Sequence, residues 1–243
     1  MARSIYKENG EIASMFNNIA TSYDNLNHLL SFGIDKYWRR VLVKSVMQKS
    51  PQKALDVACG TGDLTLALLK KGVDVIGLDI AQKMLQLAEI KTDKLLSKNR
   101  FKILSRPAFI CSSADSIPFK EASFDAVTIG FGIRNFEKWE ESLSEIYRIL
   151  KKGGTLAILE FATPKNRNWN SLFNLYFFKI LPMVGGLISS DKTAYKYLPH
   201  SVEEFPQYEE FTIKLEQSGF SNIQVKPLTG GVAILYTATK HSL

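Results

Sequence analysis

Nine residues, Leu55-Asp-Val-Ala-Cys-Gly-Thr-Gly-Asp63, carry the sharpest chemical signal in the chain. Gly60 and Gly62 lie between an apolar run and a helical pattern. Glycine there lets backbone approach a ligand where side chains would block it, and the helix behind presents free N–H groups. Asp79 ends the next apolar run, 19 positions beyond Gly60, where a carboxylate is placed to accept hydrogen bonds from a ribose diol. Those features ask for a nucleoside-containing cofactor. The third glycine of a dinucleotide fingerprint is missing, because Thr65 stands in its place. Asp56 before the loop and Asp63 after it suit a cationic ligand better than a pyrophosphate. The combination points to S-adenosylmethionine, which carries an ammonium and a sulfonium but no phosphate.

The elements that must position these residues are legible as alternating periods. Lys53–Ala58, Val73–Asp79, Phe109–Cys111, Phe124–Gly130 and Thr155–Phe161 read as strands. Asp63–Lys71 and Ala81–Ser97 read as helices. Trp139, Leu143, Ile146 and Leu150 mark another by their three-to-four spacing, and Gly153-Gly154 is expected to end it. Strands alternating with helices imply right-handed crossovers and a parallel sheet covered on both faces. The last third changes character. An aromatic helix is expected over Trp169–Leu181, a loop-rich stretch to Pro206 and a helix over Gln207–Ser218. Two antiparallel closing strands follow over Ser221–Lys226 and Gly231–Thr239. The fold class is α/β, a doubly wound Rossmann-like sheet with helical additions before Gln52 and after Glu160.

Composition narrows the class. With 243 residues and 45% hydrophobic content, the chain can bury a core without staples. Its only cysteines, Cys59 and Cys111, are too few for a disulfide framework and are read as packing groups. No metal site is expected. The net charge of +7 permits attraction to anionic ligands, lipid or nucleic acid without choosing among them. Met1–Ala13 lacks the apolar core of a signal peptide. In Trp169–Ile188 polar residues, Pro182 and Gly185-Gly186 interrupt the ~20-residue apolar run that a membrane span needs. A cytoplasmic protein is expected.

Asp56-x-x-x-Gly60-x-Gly62 resembles the cofactor loop of class I S-adenosylmethionine-dependent methyltransferases. Tyr23-Asp-Asn-Leu-Asn-His-Leu-Leu-Ser-Phe-Gly-Ile-Asp-Lys-Tyr-Trp38 resembles the N-terminal signature of the ubiquinone/menaquinone biosynthesis C-methyltransferases, the UbiE/MenG family. Gly130-Phe-Gly-Ile-Arg-Asn135 is similar to that family's segment after the fourth strand, and Arg148–Glu160 to its second signature. The likeness runs from about Met15 to Lys240. Leu26 stands where a Met is usual, Asp35 where a His is usual, and Ser112-Ser113-Ala114-Asp115 where Gly-(Asp/Asn)-Ala is more typical.

The resemblance implies one methyltransferase domain over 1–243. An N-terminal helical substrate-side segment (1–51) would lead into the cofactor-binding core (52–162). A helical and loop insertion over the acceptor site (163–206) and a closing helix and strands (207–243) would follow. It also implies roles. Thr61, with Gly60 and Gly62, would contact the methionine part of the cofactor, and Asp56 would lie close to its amino group. Asp79 would hold the ribose, and Ser113 and Ala114 the adenine edge.

The implied reaction is C-methylation of a prenylated quinol, demethylmenaquinol to menaquinol. The ubiquinone precursor 2-methoxy-6-polyprenyl-1,4-benzoquinol, another small molecule, or an inactive cofactor-binding scaffold stay open as alternatives. A phenol has pKa about 10, so its ionisation near neutrality needs a base or a stabilising cation. Arg134 is expected to be that cation or a structural bridge to a carboxylate; His28 is a candidate base or a structural histidine, in a signature where Tyr23 and Asp24 could also face the acceptor. Glu160 lies at the ligand edge of its strand.

The aromatic Trp169–Leu181 segment suits a plain core helix, a greasy groove, a dimer contact or a peripheral membrane surface, with Lys179 favouring anionic lipid in the last case. Nucleic acid is not expected as a partner: no Asn/Asp-Pro-Pro-aromatic or Pro-Cys motif occurs.

Overall fold

The computed structural model describes residues 8–98, 103, 105–177 and 192–241; within these, the side chains of 25, 26, 29, 30, 167, 168, 171, 172 and 192–196 are left aside. In chain order the elements are α1 (Asn9–Leu30), α2 (Ile34–Met47), β1 (Lys53–Val57), α3 (Asp63–Leu69), β2 (Asp74–Asp79), α4 (Gln82–Leu96), β3 (Ala108–Cys111) and β4 (Phe124–Gly130). A 3-10 turn (Ile133–Asn135), α5 (Trp139–Ile149), β5 (Leu150–Phe161) and α6 (Arg167–Leu175) come next. Then come α7 (Lys192–Glu204), α8 (Glu209–Gln217), β6 (Phe220–Leu228) and β7 (Ala233–Lys240).

The strands form one seven-stranded sheet in the order β3-β2-β1-β4-β5-β7-β6. The first five pair in parallel, and β7 runs antiparallel between β5 and β6. Alternation along the strands builds both cores. Leu55, Val57, Val127, Ile129, Leu156 and Ile158 face α5 and α8; Ala54, Val75, Ala126, Ala157 and Leu159 face α2 and α3. A strand buried on both sides reads as a continuous apolar run, which is why β1, β4 and β5 stand out in the sequence. A third cluster joins α1 (Ile12, Met15, Ile19) to Met84 of α4, to Phe173 of α6 and to Phe177 just beyond it.

The alternating strand–helix order and the antiparallel closing strands are borne out, with three local corrections. First, α5 stops at Ile149 and Leu150 already pairs with Phe124, so Gly153-Gly154 lies inside β5 and does not end the helix. A Cβ on Gly154 would come within 2.7 Å of the Lys151 carbonyl, so the pair serves an irregularity in the strand. Second, the stretch expected to be loop-rich contains α7, which carries Pro199 within it. Third, Cys111 is exposed on the edge strand β3, whereas Cys59 packs as expected. The described part of the aromatic helix ends at Leu175, and Lys179 lies outside the described residues. Among the described residues no helix is long and apolar enough to cross a membrane.

Candidate active site

In a sheet ordered 3-2-1-4-5, chain connections leave β1 and β4 in opposite directions, and a crevice opens at their carboxyl ends. Both motif segments emerge there. Ala58 follows β1 and Phe131 follows β4, each with a positive φ (53° and 61°) that costs a non-glycine residue about 1–3 kcal/mol. Gly132 lets the two segments press together: a Cβ on it would stand 2.5 Å from the Ala58 Cβ. The glycine loop and the Gly130–Asn135 segment therefore form one wall.

Two cavities open on that wall. The first is lined by Gly60, Asp79, Ser113, Ala114 and Asp115 from the sheet edge, and α1 covers it with Asn9, Ile12 and Phe16. The second, of about 380 Å³, lies between α1, α2, α6 and α7 and is mainly apolar, with Trp38, Phe161, Phe173 and Phe177 among its walls. Its rings pack on one another: Phe131 and Phe161 have centroids 4.5 Å apart, and Phe173 and Phe177 4.6 Å. Phe16, Tyr23, Phe131 and Asn135 belong to both cavities. Asn135 Oδ1 is buried there with no hydrogen-bond partner among the described residues. A buried acceptor left unpaired costs about 1–3 kcal/mol, so its place at the junction marks where a ligand donor fits.

The carboxylates of the glycine loop take different roles. Asp79 accepts from the backbone N–H of Gly60 and of Ala81, both at 2.8 Å, and so ties the loop to the start of α4. Burial raises its pKa, against the pull of those N–H groups. Asp56 is fully buried beneath the loop and lines neither cavity. The Thr65 hydroxyl donates to its Oδ2 at 2.6 Å and the Thr128 hydroxyl to its Oδ1 at 2.8 Å. Burial outweighs these bonds and pushes the Asp56 carboxyl up to about 6. The expected direct approach of Asp56 to a ligand is replaced by support of the loop from below.

Thr61 and Gly62 likewise line neither cavity. The Thr61 hydroxyl donates to Asp24 of α1 at 2.6 Å, and Lys91 of α4 bridges Thr61 (3.0 Å), Asp24 (2.8 Å) and Asp63. Burial would raise Asp63, but Lys91 and Arg39 together hold it below the usual carboxylate range. Ser113 meets α1 from the other end, accepting from the Asn9 amide at 3.2 Å.

Arg134 lines the second cavity and is both cation and bridge. Its Nη1 donates to Glu160 and to the Phe131 carbonyl, each at 2.6 Å, while its Nε donates to Ser201 at 3.3 Å. Its side chain is 7% exposed and that of Glu160 1%, and the guanidinium lies 5.5 Å from the Phe161 ring centroid. Nη2 is left without a partner among the described residues. His28 stands elsewhere. It lines neither cavity, its Nδ1 is 2.7 Å from Asp35, and its Nε2 is 3.8 Å from Asp63. Asp35 also accepts from Ser31 at 2.7 Å and from Arg39. Burial would raise it, but Ser31 and Arg39 hold it below the ordinary value. The expectation of His28 as base is thus corrected: its imidazole joins α1 to α2 and to the head of α3.

Tyr23, expected to face the acceptor, is joined at the junction by Asn135, for which the sequence offers no separate signal. Both stood inside quoted motifs, but nothing in a motif says that two residues 112 positions apart share the junction of two cavities. Burial raises the Tyr23 pKa, against the opposing charges of Arg134 and Arg39, so its hydroxyl stays protonated near neutrality. Burial likewise raises the Cys59 thiol well above its ordinary value, which leaves it an inert packing group. No group of three or more potential metal ligands occurs among the described residues.

The comparisons with known proteins decide the family. The ubiE/COQ5 methyltransferase family model matches residues 4–240. The chain belongs to the ubiE/COQ5 methyltransferase family. It is 43% identical over 237 residues to the ubiquinone/menaquinone biosynthesis C-methyltransferase UbiE of Geotalea uraniireducens, covering 96% of this chain and 98% of that one. It is 42% identical over 228 residues to the demethylmenaquinone methyltransferase of Thermus thermophilus, covering 93% and 100%. Among solved structures, a SAM-dependent methyltransferase of Thermotoga maritima, described as a possible histamine N-methyltransferase, shares the fold at TM-score 0.61 and 16% identity, over 93% and 98% of the two chains. This methyltransferase is an S-adenosylmethionine-dependent enzyme with the Rossmann-like class I sheet. The first cavity fits that cofactor: it joins a glycine loop, the Asp79 carboxylate and the Ser113–Ala114 backbone at the carboxyl ends of β1 to β3.

Proposed function

We propose that this methyltransferase methylates a ring carbon of a prenylated quinol, with demethylmenaquinol as acceptor and menaquinol as product. The observation that carries the reading is the apolar, aromatic-walled second cavity meeting the first at Tyr23 and Asn135. A quinol ring needs aromatic walls and a few polar contacts, and its tail needs a long apolar one. The names of the Geotalea and Thermus relatives speak for the same acceptor class.

In the first cavity Asp79 would hold the ribose, Ser113 and Ala114 the adenine edge, and Gly60 the methionine part; Asp56, Thr61 and Gly62 would keep the loop in shape. When bound, S-adenosylmethionine supplies a methyl group already activated on a sulfonium. The work of the chain is then positioning and electrostatics. The quinol hydroxyl gives its proton to water, and the ionised oxygen makes the neighbouring ring carbon nucleophilic. That carbon takes the methyl group as the sulfonium–methyl bond breaks to leave a neutral thioether, and the ring proton is then lost to water. Arg134 cannot accept the proton; its free Nη2 favours the ionised oxygen, and Glu160 keeps the guanidinium aimed. Asn135 Oδ1 accepts from the second hydroxyl, and the Tyr23 hydroxyl donates to the acceptor. The described parts of the 163–206 stretch, α6 and α7, would wall the acceptor within one methyltransferase domain. Because such an acceptor is dissolved in lipid, the reading places a cytoplasmic protein in peripheral contact with a membrane.

The test supplies the full chain with methyl-labelled S-adenosylmethionine and chemically reduced demethylmenaquinone, with and without a prenyl tail. Label on the ring carbon, transferred faster with the tail, is the expected result. Cofactor binding without transfer of label to this quinol would overturn the reading. The ubiquinone precursor is the next acceptor to try, since the Geotalea relative is named for both quinones.

A further inference from the structure

Exposed apolar side chains gather at one place on the surface. Phe32 is 78% exposed, Trp169 41% and Ile34 37%, and all three also line the second cavity, so they stand at its mouth. Phe32 is held outward in the α1–α2 turn by a positive φ of 50°. A bulky residue takes that conformation only where the surrounding turn imposes it.

The exposed charge of α2, which contributes Ile34 to this mouth, has one sign. On α2, Lys36, Tyr37, Arg40 and Lys44 are exposed and fall within about 100° of the helix circumference at 3.6 residues per turn. The three cations have no ion-pair partner among the described residues. The only acid of α2, Asp35, is buried and tied to His28, Ser31 and Arg39. On the other side of the mouth, α6 (Arg167–Leu175) has no Asp or Glu in its sequence. Surface helices of soluble faces mix both signs; here α2 carries exposed cations without an ion-pair partner among the described residues, and neither α2 nor α6 carries an exposed acid.

We propose that this face, formed by the exposed side of α2 with Phe32, Ile34 and Trp169, docks on an anionic lipid bilayer, and that the prenylated acceptor enters the second cavity through it. The proposal rests on the quinol reading for its cargo but on exposure and charge for its partner. Lys and Arg near an anionic surface contribute attraction individually, and the apolar tips enter the headgroup boundary. A second copy of this chain would bring the same cations face to face, which disfavours that occupant.

The experiment sediments the full chain with vesicles of phosphatidylcholine alone and of phosphatidylcholine mixed with phosphatidylglycerol. The chain should bind the mixed vesicles, more weakly as salt rises, and the neutral ones far less. The Lys36→Glu/Arg40→Glu/Lys44→Glu variant should lose on the order of 100-fold in vesicle affinity. The neutral Lys36→Gln/Arg40→Gln/Lys44→Gln variant should follow the same direction if charge reversal unfolds α2. Tyr37→Ser should weaken binding less.

None of these side chains lines either cavity, so all variants should methylate a short-tailed, water-dissolved quinol at the unaltered rate. Equal binding to neutral and anionic vesicles, or undiminished binding by the triple variants, would overturn the docking face. Self-association that the same variants abolish, without vesicle binding, would reassign the face to a second copy. Vesicle binding by a chain that methylates no quinol would instead defeat the acceptor reading and leave the docking face standing.

Discussion

Arg134 and Glu160 form a buried pair beside the acceptor cavity, which makes single substitutions there hard to interpret unless charge is balanced. Removing one partner strands the other charge and costs about 3–5 kcal/mol. Arg134→Ala should therefore unfold at clearly lower denaturant and also lose turnover. Arg134→Ala/Glu160→Gln should recover most of the stability and none of the turnover, which parallel denaturation and methyl-transfer assays would reveal. Recovery of both would make the arginine a structural bridge alone. Asn135 is the cleaner probe, because its Oδ1 has no partner to strand among the described residues. Asn135→Ala should reduce turnover with cofactor affinity within a few-fold of the parent chain. Asp79 has the opposite character. Asp79→Ala should weaken cofactor binding by about 1–3 kcal/mol by calorimetry, since a charge-assisted acceptor is lost, together with some stability through Gly60 and Ala81. Unchanged affinity would contradict the ribose assignment.

At the level of elements, α1 is held over the cofactor cavity from both ends. Asn9 bonds Ser113 by its amide and Glu137 by its backbone N–H, while Asp24 meets Thr61 and Lys91. These contacts are polar and part-buried, unlike the apolar packing of α2 on the sheet. Together with the apolar seat of Ile12, Met15 and Ile19 on α4 and α6, they latch the helix over the cavity. Lys91→Ala removes the cation between Asp24 and Asp63, leaving Arg39 beside Asp63 and the Thr61 hydroxyl on Asp24. Hydrogen exchange over residues 9–30 should speed up in that variant while β1, β4 and β5 keep their protection; uniform change across the sheet would reject a local latch. The elements themselves were largely visible in the sequence, because a 2-residue or 3.6-residue apolar period is local. The end of α5 was not. Gly153-Gly154 resembled a helix stop, yet Leu150 had already been captured by its pairing with Phe124, a partner 26 positions away.

For the molecule as a whole, Asp56 couples the cofactor loop to stability. Its folded-state pKa, raised from the ordinary 3.8 to about 6, means that the folded chain binds the proton more tightly than the unfolded one. The resulting stabilisation is present at low pH and is lost as pH rises from about 4 through about 6. Measured against Asp56→Asn, which cannot titrate, the parent chain should lose on the order of 2–3 kcal/mol between pH 4 and pH 7 in denaturant unfolding. Parallel pH curves for the two proteins would show that Asp56 does not titrate in that window.

What could be read from residues alone was whatever depends on neighbours in the chain: the strand and helix periods, the glycine loop, the acid 19 residues beyond it, and the family motifs. These sufficed for the fold class, the cofactor and the family. What needed tertiary structure was every relation between distant segments. Asp56 sits under the loop because Thr65 and Thr128 reach it from two other elements. His28 is drawn into a network with Asp35 and Asp63. Asn135 becomes the meeting point of two cavities only once α1 is folded across the sheet edge. Spacing along the chain sets which groups can be near one another locally, but packing alone decides which of them a ligand can reach.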